Sequence, residues 1–171
     1  MRTAGTVLQF SGQRPGGAVG EKSYITDAIR NLIGRELDRS VCEIEKGMIR
    51  RLAEAALDDN PLYRDCEASR NSRYGGMIAP PGIAWPIIPA KMDWMATQYD
   101  FPLKRLLNAG FEKEFFAPIR PGDVLTGILV LADVEEKQGR IGHMVFFHFE
   151  VDWSNQHGSR VMKLRQSFIR Y

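Results

Sequence analysis

The chain is short of several things, and each shortage removes a class of function. Only two of its 171 residues are cysteine, Cys42 and Cys66, and they form neither a CxxC pair nor a zinc-ligand pattern. In a chain of this size they read as reduced intracellular thiols rather than as a disulfide framework. Histidine is scarce too, with three in all: His143, His148 and His157. His143 and His148 lie five apart in a strand-like run, so they point to opposite faces and cannot hold one metal ion together. No carboxylate spacing completes a site around them, and no metal is expected. His157 falls in a turn and reads as solvated. No apolar run approaches the ~18 residues of a membrane-spanning helix. The start of the chain lacks the charged, apolar and small-residue layout of a secretory signal. A cytoplasmic location is therefore the expectation. Charge bias is small: 23 Lys and Arg against 21 Asp and Glu leave a formal net charge of +2. Without a basic run, that balance argues against nucleic acid as a partner.

What is present is the material of an ordinary folded domain, 44% hydrophobic and 26% charged. The length suffices for one domain with a sizeable core. Residues 1–22 carry Ser11-Gly12, Pro15-Gly16-Gly17 and Gly20 and few bulky side chains, which reads as a flexible tail. Thr6-Val7-Leu8-Gln9-Phe10 is also compatible with a small edge strand or a partner contact. Residues 23–171 then form a single domain.

Its first half reads as helical. Thr26 to Ile33 suggests a short helix stopped by Gly34, and Ser40 to Ile44 is strand-like. Gly47 to Leu57 is a stronger helix, with Met48, Leu52, Ala55 and Ala56 on one stripe and Arg50, Arg51 and Glu54 largely on the other. A further helical turn is expected over Glu67 to Ser72. From about Pro81 to Tyr99 the chain is mostly apolar, and Pro80, Pro81, Pro86 and Pro89 punctuate its start. Because proline is tolerated in a first helical turn and breaks interiors, the pattern predicts a buried helix, irregular at first and regular from about Pro89.

The second half changes period. Strands are expected over Phe111 to Ile119, Val124 to Glu135, Ile141 to Trp153 and Arg160 to Tyr171. Arg120-Pro121-Gly122-Asp123, Glu136 to Arg140 and Ser154 to Gly158 supply turn chemistry between them. One buried helix and an antiparallel meander make an α+β layering. Pattern alone does not choose among the folds of that class.

Three stretches say more. The first is Asp58-Asp59-Asn60-Pro61-Leu62-Tyr63-Arg64-Asp65. The second is Tyr74-Gly75-Gly76-Met77-Ile78-Ala79-Pro80-Pro81, and the third runs from Phe115 to Asp123. In this order and spacing they resemble the MaoC-like hydratases and dehydratases, in particular the MaoC-like N-terminal dehydratase domains. The resemblance runs from near Tyr24 to Tyr171. It implies the hot-dog fold, a long central helix wrapped by an antiparallel sheet. It also implies acyl thioesters as substrates, carried on coenzyme A or an acyl carrier protein, and no cofactor. Members pair as dimers or fused double domains, so a second hot-dog subunit or a second copy is the expected partner.

The resemblance also exposes two departures. Catalytic members read Asp-x-Asn-Pro-x-His, with Asp and His sharing the acid–base work of adding or removing water. Here Asp58 and Asn60 are kept, but Tyr63 stands at the His position. A phenol with an ordinary pKa near ~10 is a poor base at neutral pH. In the family a backbone N–H at the start of the central helix stabilises the thioester oxygen as it turns negative. By position that pair of residues falls on Pro80-Pro81, and proline has no N–H. Each loss costs on the order of 10²–10³ in rate.

The resemblance thus makes Asp58, Asn60 and Tyr63 the catalytic positions, in degenerate form. It makes Gly76, Ala79, Pro80, Pro81 and Trp85 the substrate-binding ones. Each has a plain structural reading beside it: Asp58 and Asn60 as turn formers, Tyr63 and Trp85 as packing. The expected function is a subunit of an (R)-specific 2-enoyl-CoA hydratase or 3-hydroxyacyl thioester dehydratase that shapes the acyl pocket for a partner. Three alternatives stay open: an active homodimer using Asp58 and Tyr63, a thioesterase using Asp93, and a non-enzymatic acyl-thioester binding module. Arg64, Arg70 and Arg73 are candidates for phosphates of the carrier, or simply exposed cations.

Overall fold

The computed structural model describes residues 23–84, 87 and 101–171. The 1–22 segment and most of the apolar stretch expected to form the central helix lie outside them. So do two residues singled out from the sequence, Trp85 and Asp93.

The first elements are short and capped. Helix α1 (Asp27–Arg30) starts where the Thr26 hydroxyl accepts the Ile29 N–H, and Ile29 is its buried anchor. Strand β1 is Glu36–Glu43. It begins four residues earlier than the sequence suggests, because a bulge between Glu36 and Asp38 carries it along its neighbour. Helix α2 (Lys46–Ala55) buries Ile49 and Ala53, with Met48 and Leu52 packed beside them, while Ala55 is exposed. The apolar stripe is thus Met48, Ile49, Leu52 and Ala53 and not one running to Ala55 and Ala56. It is the i, i+3, i+4 spacing that meets the core. A helix unforeseen in the sequence, α3 (Pro61–Arg64), follows, and then α4 (Cys66–Arg70).

The sheet follows. Strands β2 (Leu106–Phe115), β3 (Val124–Gly139), β4 (Gly142–Ser154) and β5 (Arg160–Arg170) join β1 in one antiparallel sheet of order β1-β3-β4-β5-β2. β3 and β4 alternate buried and half-buried residues over most of their length, with Gly127, Leu129 and Leu131 opposite Trp153, Val151 and Phe149 on the inner face. A bulge between Leu131 and Asp133 shifts the register, so that Val134 and not Asp133 points inward. Gly127 is required at its place, since a Cβ there would lie 2.6 Å from the Trp153 ring. The β4–β5 turn is held by the Asn155 side chain, which accepts the N–H of His157 (3.1 Å) and of Ser159 (3.0 Å).

β2 differs from its expected span. It starts at Leu106 and ends at Phe115, whereas the sequence pattern suggests Phe111 to Ile119. Asn108-Ala109-Gly110 looks like a turn but is a bulge inside the strand, with Gly110 at φ 127°. The buried Gln166 of β5 supports it by donating to Asn108 Oδ1 (2.8 Å) and to the Gly110 carbonyl (3.1 Å). At the other end Phe116 to Ile119 leave the strand around Pro118. The apolar core between sheet and helices takes in Ile44, Ile49, Met77, Ile83, Ile87 and Phe101. Among the described residues no helix is long and apolar enough to cross a membrane.

Candidate functional site

The site begins where α2 stops. Leu57 takes a left-handed conformation (φ 52°), which is strained for a residue with a branched side chain, and the Asp58 N–H closes back on the Ala53 carbonyl at 2.9 Å. The chain then turns twice on its own side chains. Asp58 Oδ1 accepts the Asn60 N–H (3.0 Å), and Asn60 Oδ1 accepts the Leu62 N–H (3.0 Å), capping α3 with Pro61 in its first turn. Asp58 and Asn60 therefore work as turn formers. The purpose of the turn is visible one step on: α3 carries Tyr63 into a cavity of about 490 Å³.

The three sequence stretches meet around that cavity. The Ile78 N–H donates to the Leu62 carbonyl (3.2 Å), joining the second stretch to the first. The Ala79 N–H donates to the Ile119 carbonyl (2.8 Å), joining it to the third. Arg120 reinforces the second link: its guanidinium donates to the Tyr74 carbonyl at 2.6 Å, and its own N–H is held by Asp123 Oδ2 at 2.7 Å. The walls are Tyr63, Tyr74, Ile78, Ala79, Pro81 and Phe115 through Ile119.

Of the residues singled out from the sequence, Tyr63, Ala79 and Pro81 line this cavity. Asp58, Asn60, Gly76 and Pro80 stand behind the lining. Trp85 lies outside the described residues. The Tyr63 phenol is pushed above its ordinary pKa, first by burial and then by the nearby Asp58 carboxylate and Tyr74, against a smaller opposing hydrogen bond from Asn60. It stays protonated through the neutral range and so cannot do the work of an imidazole base.

No histidine replaces it. His143 packs edge-on against the Tyr24 ring (4.8 Å), 3.7 Å from Glu136. His148 is on the opposite face of β4, bonded to Ser167 Oγ (2.8 Å) and near Glu135 (3.4 Å). His157 is exposed in its turn. Among the described residues no three His, Cys, Asp or Glu side chains are grouped for a metal ion. Of the three arginines considered for phosphates, Arg64 pairs with Asp59 and Arg73 donates to the Tyr74 hydroxyl.

Among the cavity residues to which sequence reasoning gave no role are three aromatics. Tyr74, Phe115 and Phe116 stand at the starts of the second and third stretches, but only the fold turns them to one space.

Comparison with known proteins bears on this arrangement. The family model "FAS1-like, dehydratase domain region" matches residues 31–164. A UPF0336 protein of Saccharopolyspora erythraea is 30% identical over 113 residues, spanning 64% of this chain and 72% of that one. Among solved structures, a MaoC-like dehydratase from Rhodospirillum rubrum superposes with a TM-score of 0.59 at 25% identity, covering 81% of this chain and 97% of that one. The ChsH1–ChsH2 complex from Mycobacterium tuberculosis reaches a TM-score of 0.68 at 19% identity, over 80% of this chain and 84% of the matched one. With most of its length inside the family match and its sheet superposing on these structures, the chain belongs to the MaoC-like hydratases and dehydratases, as a FAS1-like dehydratase region on the hot-dog fold.

Proposed function

We propose that the protein is a subunit of an (R)-specific 2-enoyl-CoA hydratase or 3-hydroxyacyl thioester dehydratase, and that it shapes the acyl pocket while a second hot-dog chain supplies the acid–base pair. The observation that carries this reading is Tyr63. The loop that holds a histidine in catalytic relatives is intact as a structure, down to both side-chain turns, yet it presents a phenol whose pKa is raised. A family site that keeps its walls and loses its base is suited to binding a thioester while the base comes from another chain. Asp58 gives little support to a self-sufficient enzyme, because its carboxylate is engaged by the Asn60 N–H and does not line the cavity.

A partner fits the position of the cavity. Phe115 and Phe116 line it and are also exposed at the end of β2, an edge strand, so a chain docked along that edge would border the pocket. One of the structures it resembles is a complex of two different chains. The apolar walls suit an acyl chain, and a cavity of this size suits a small ligand largely enclosed.

The test is hydration of crotonyl-CoA and of a longer 2-enoyl-CoA, followed as loss of enoyl thioester absorbance. The chain is assayed alone and with a co-encoded hot-dog chain that keeps Asp-x-Asn-Pro-x-His. Activity only in the mixture is the expected result. Full activity of the isolated chain would overturn the reading.

A further inference from the structure

Tyr74 is held in a way that its neighbours in the cavity are not. Its backbone is fixed at both ends, the N–H on Ser72 Oγ (3.2 Å) and the carbonyl under the Arg120 guanidinium (2.6 Å). Its hydroxyl oxygen accepts a hydrogen bond of 2.6 Å from Arg73, whose guanidinium also lies 4.8 Å from the ring centroid. A phenol whose oxygen is occupied by a cation has its own O–H left to donate. Among the described residues no acceptor is placed against that proton. The residue lines the cavity beside Ile78, Ala79, Pro81 and Phe115, with its bond to Arg73 on the exposed side, so that a donor stands at the edge of an apolar wall.

We propose that the Tyr74 hydroxyl, backed by Arg73, is the donor that binds the thioester carbonyl oxygen in this cavity, in place of the backbone N–H that Pro80 and Pro81 lack. The proposal rests on the thioester reading above and adds the group that recognises the reacting oxygen. In hydration, the water oxygen bonds to the β-carbon and a proton reaches the α-carbon, both steps served by the partner's acid–base pair. Meanwhile the electron pair of the double bond passes through the carbonyl oxygen as an enolate and returns. Tyr74 donates a hydrogen bond to that oxygen throughout and keeps its proton, so nothing is consumed. Arg73 is a positioning residue: it fixes the direction of the O–H and favours negative charge nearby.

The experiment uses the full chain and 2,4-hexadienoyl-CoA, a conjugated thioester whose absorption moves to longer wavelength when its carbonyl is polarised. The expected result is a red shift on binding to the unaltered protein, lost in Tyr74→Phe and reduced in Arg73→Gln, with affinity changed by less than about tenfold, the value of one ordinary hydrogen bond. With the partner present, kcat/KM should fall by ~10²–10³ in Tyr74→Phe. Arg73→Gln leaves the ring in place, and circular dichroism checks that both variants are folded. A red shift that persists in Tyr74→Phe overturns the proposal, as does binding to the unaltered protein without any shift, and in both cases the thioester reading stands. Failure to bind the probe, with or without the partner, overturns that reading and the proposal with it.

Discussion

The two edges of the sheet are built on opposite principles. On β1, inward residues Leu37 and Cys42 pack on the core, and the outer face carries charge, including the Glu36–Arg39 pair at 2.7 Å. Val41 is its one exposed large apolar residue. On β2 nearly every residue is exposed, and Leu106, Leu107, Phe111 and Phe115 are apolar. Edges left to solvent are normally blunted by charge or shortness. β1 follows that rule and β2, ten residues long, breaks it. The difference teaches that one edge is finished for solvent and the other is left apolar, and the cavity opens beside the apolar one.

The largest expected effect comes from giving β2 the character of β1. Phe111→Lys would place an uncompensated charge in the pairing surface of the proposed partner, at a cost of about 3–5 kcal/mol, or a loss of ~10²–10⁴ in affinity for the second chain. Size-exclusion chromatography of the mixture should show separate peaks, and hydratase activity should fall with it. The matching change Val41→Lys on β1 should leave both unaltered. If Val41→Lys splits the complex and Phe111→Lys does not, the comparison is upside down.

A smaller effect is expected at the support of β2. Gln166→Leu removes the two bonds that the buried Gln166 amide donates to the exposed Asn108–Gly110 bulge, at a cost of about 0.5–1.5 kcal/mol. Thermal unfolding would measure it, and amide exchange should quicken along β2 more than along β1.

Next is the charged ladder linking the centre of the sheet to β2. Glu150 bonds Lys163 (2.6 Å) and Arg165 (3.1 Å), and Arg165 reaches Glu112 of β2. Partial burial opposes ionisation of Glu150, but the hydrogen bonds and charge of Lys163 and Arg165 outweigh it and hold the carboxyl below its ordinary pKa. A carboxyl lowered in the folded state adds stability that is complete above its unfolded pKa and fades as pH falls through the folded one. Glu150→Gln should therefore cost up to ~1 kcal/mol near neutral pH and nothing well below the carboxylate range. Equal destabilisation at both ends of a pH series of denaturant melts would refute the assignment. The smallest effect belongs to β1. Arg39→Ala breaks an exposed, solvent-screened pair and should leave the melting temperature unchanged.

Legibility in the sequence followed the range of the forces involved. In the β3–β4–β5 meander the β4–β5 turn was readable because it is made by local chemistry, the Asn155 side chain and Gly158 (φ 75°), whereas β3 runs on to Gly139, four residues past its expected end, because Glu136 to Gly139 pair with β4 instead of turning. β2 was misplaced because its first half holds a bulge at Asn108 to Gly110 that Gln166 of another strand supports. The α2 stripe missed the buried Ile49 and Ala53 and took in the exposed Ala55 and Ala56, because alanine alone does not mark which face meets the core. In the site, the motif named Asp58, Asn60 and Tyr63 together, but only Tyr63 reaches the cavity.

By itself, then, the sequence determined the class of fold, the strand punctuation and the family, and it showed the missing base and the missing N–H at Pro80-Pro81. Those are properties of residue type and spacing, written locally. Tertiary structure decided which side chains share a cavity and which edge of the sheet is left apolar. Tyr63, Tyr74 and Phe115 become neighbours only because backbone bonds from Ile78 and Ala79 draw three distant stretches together. Such contacts depend on where the whole sheet and its helices come to rest, which no single stretch of sequence specifies.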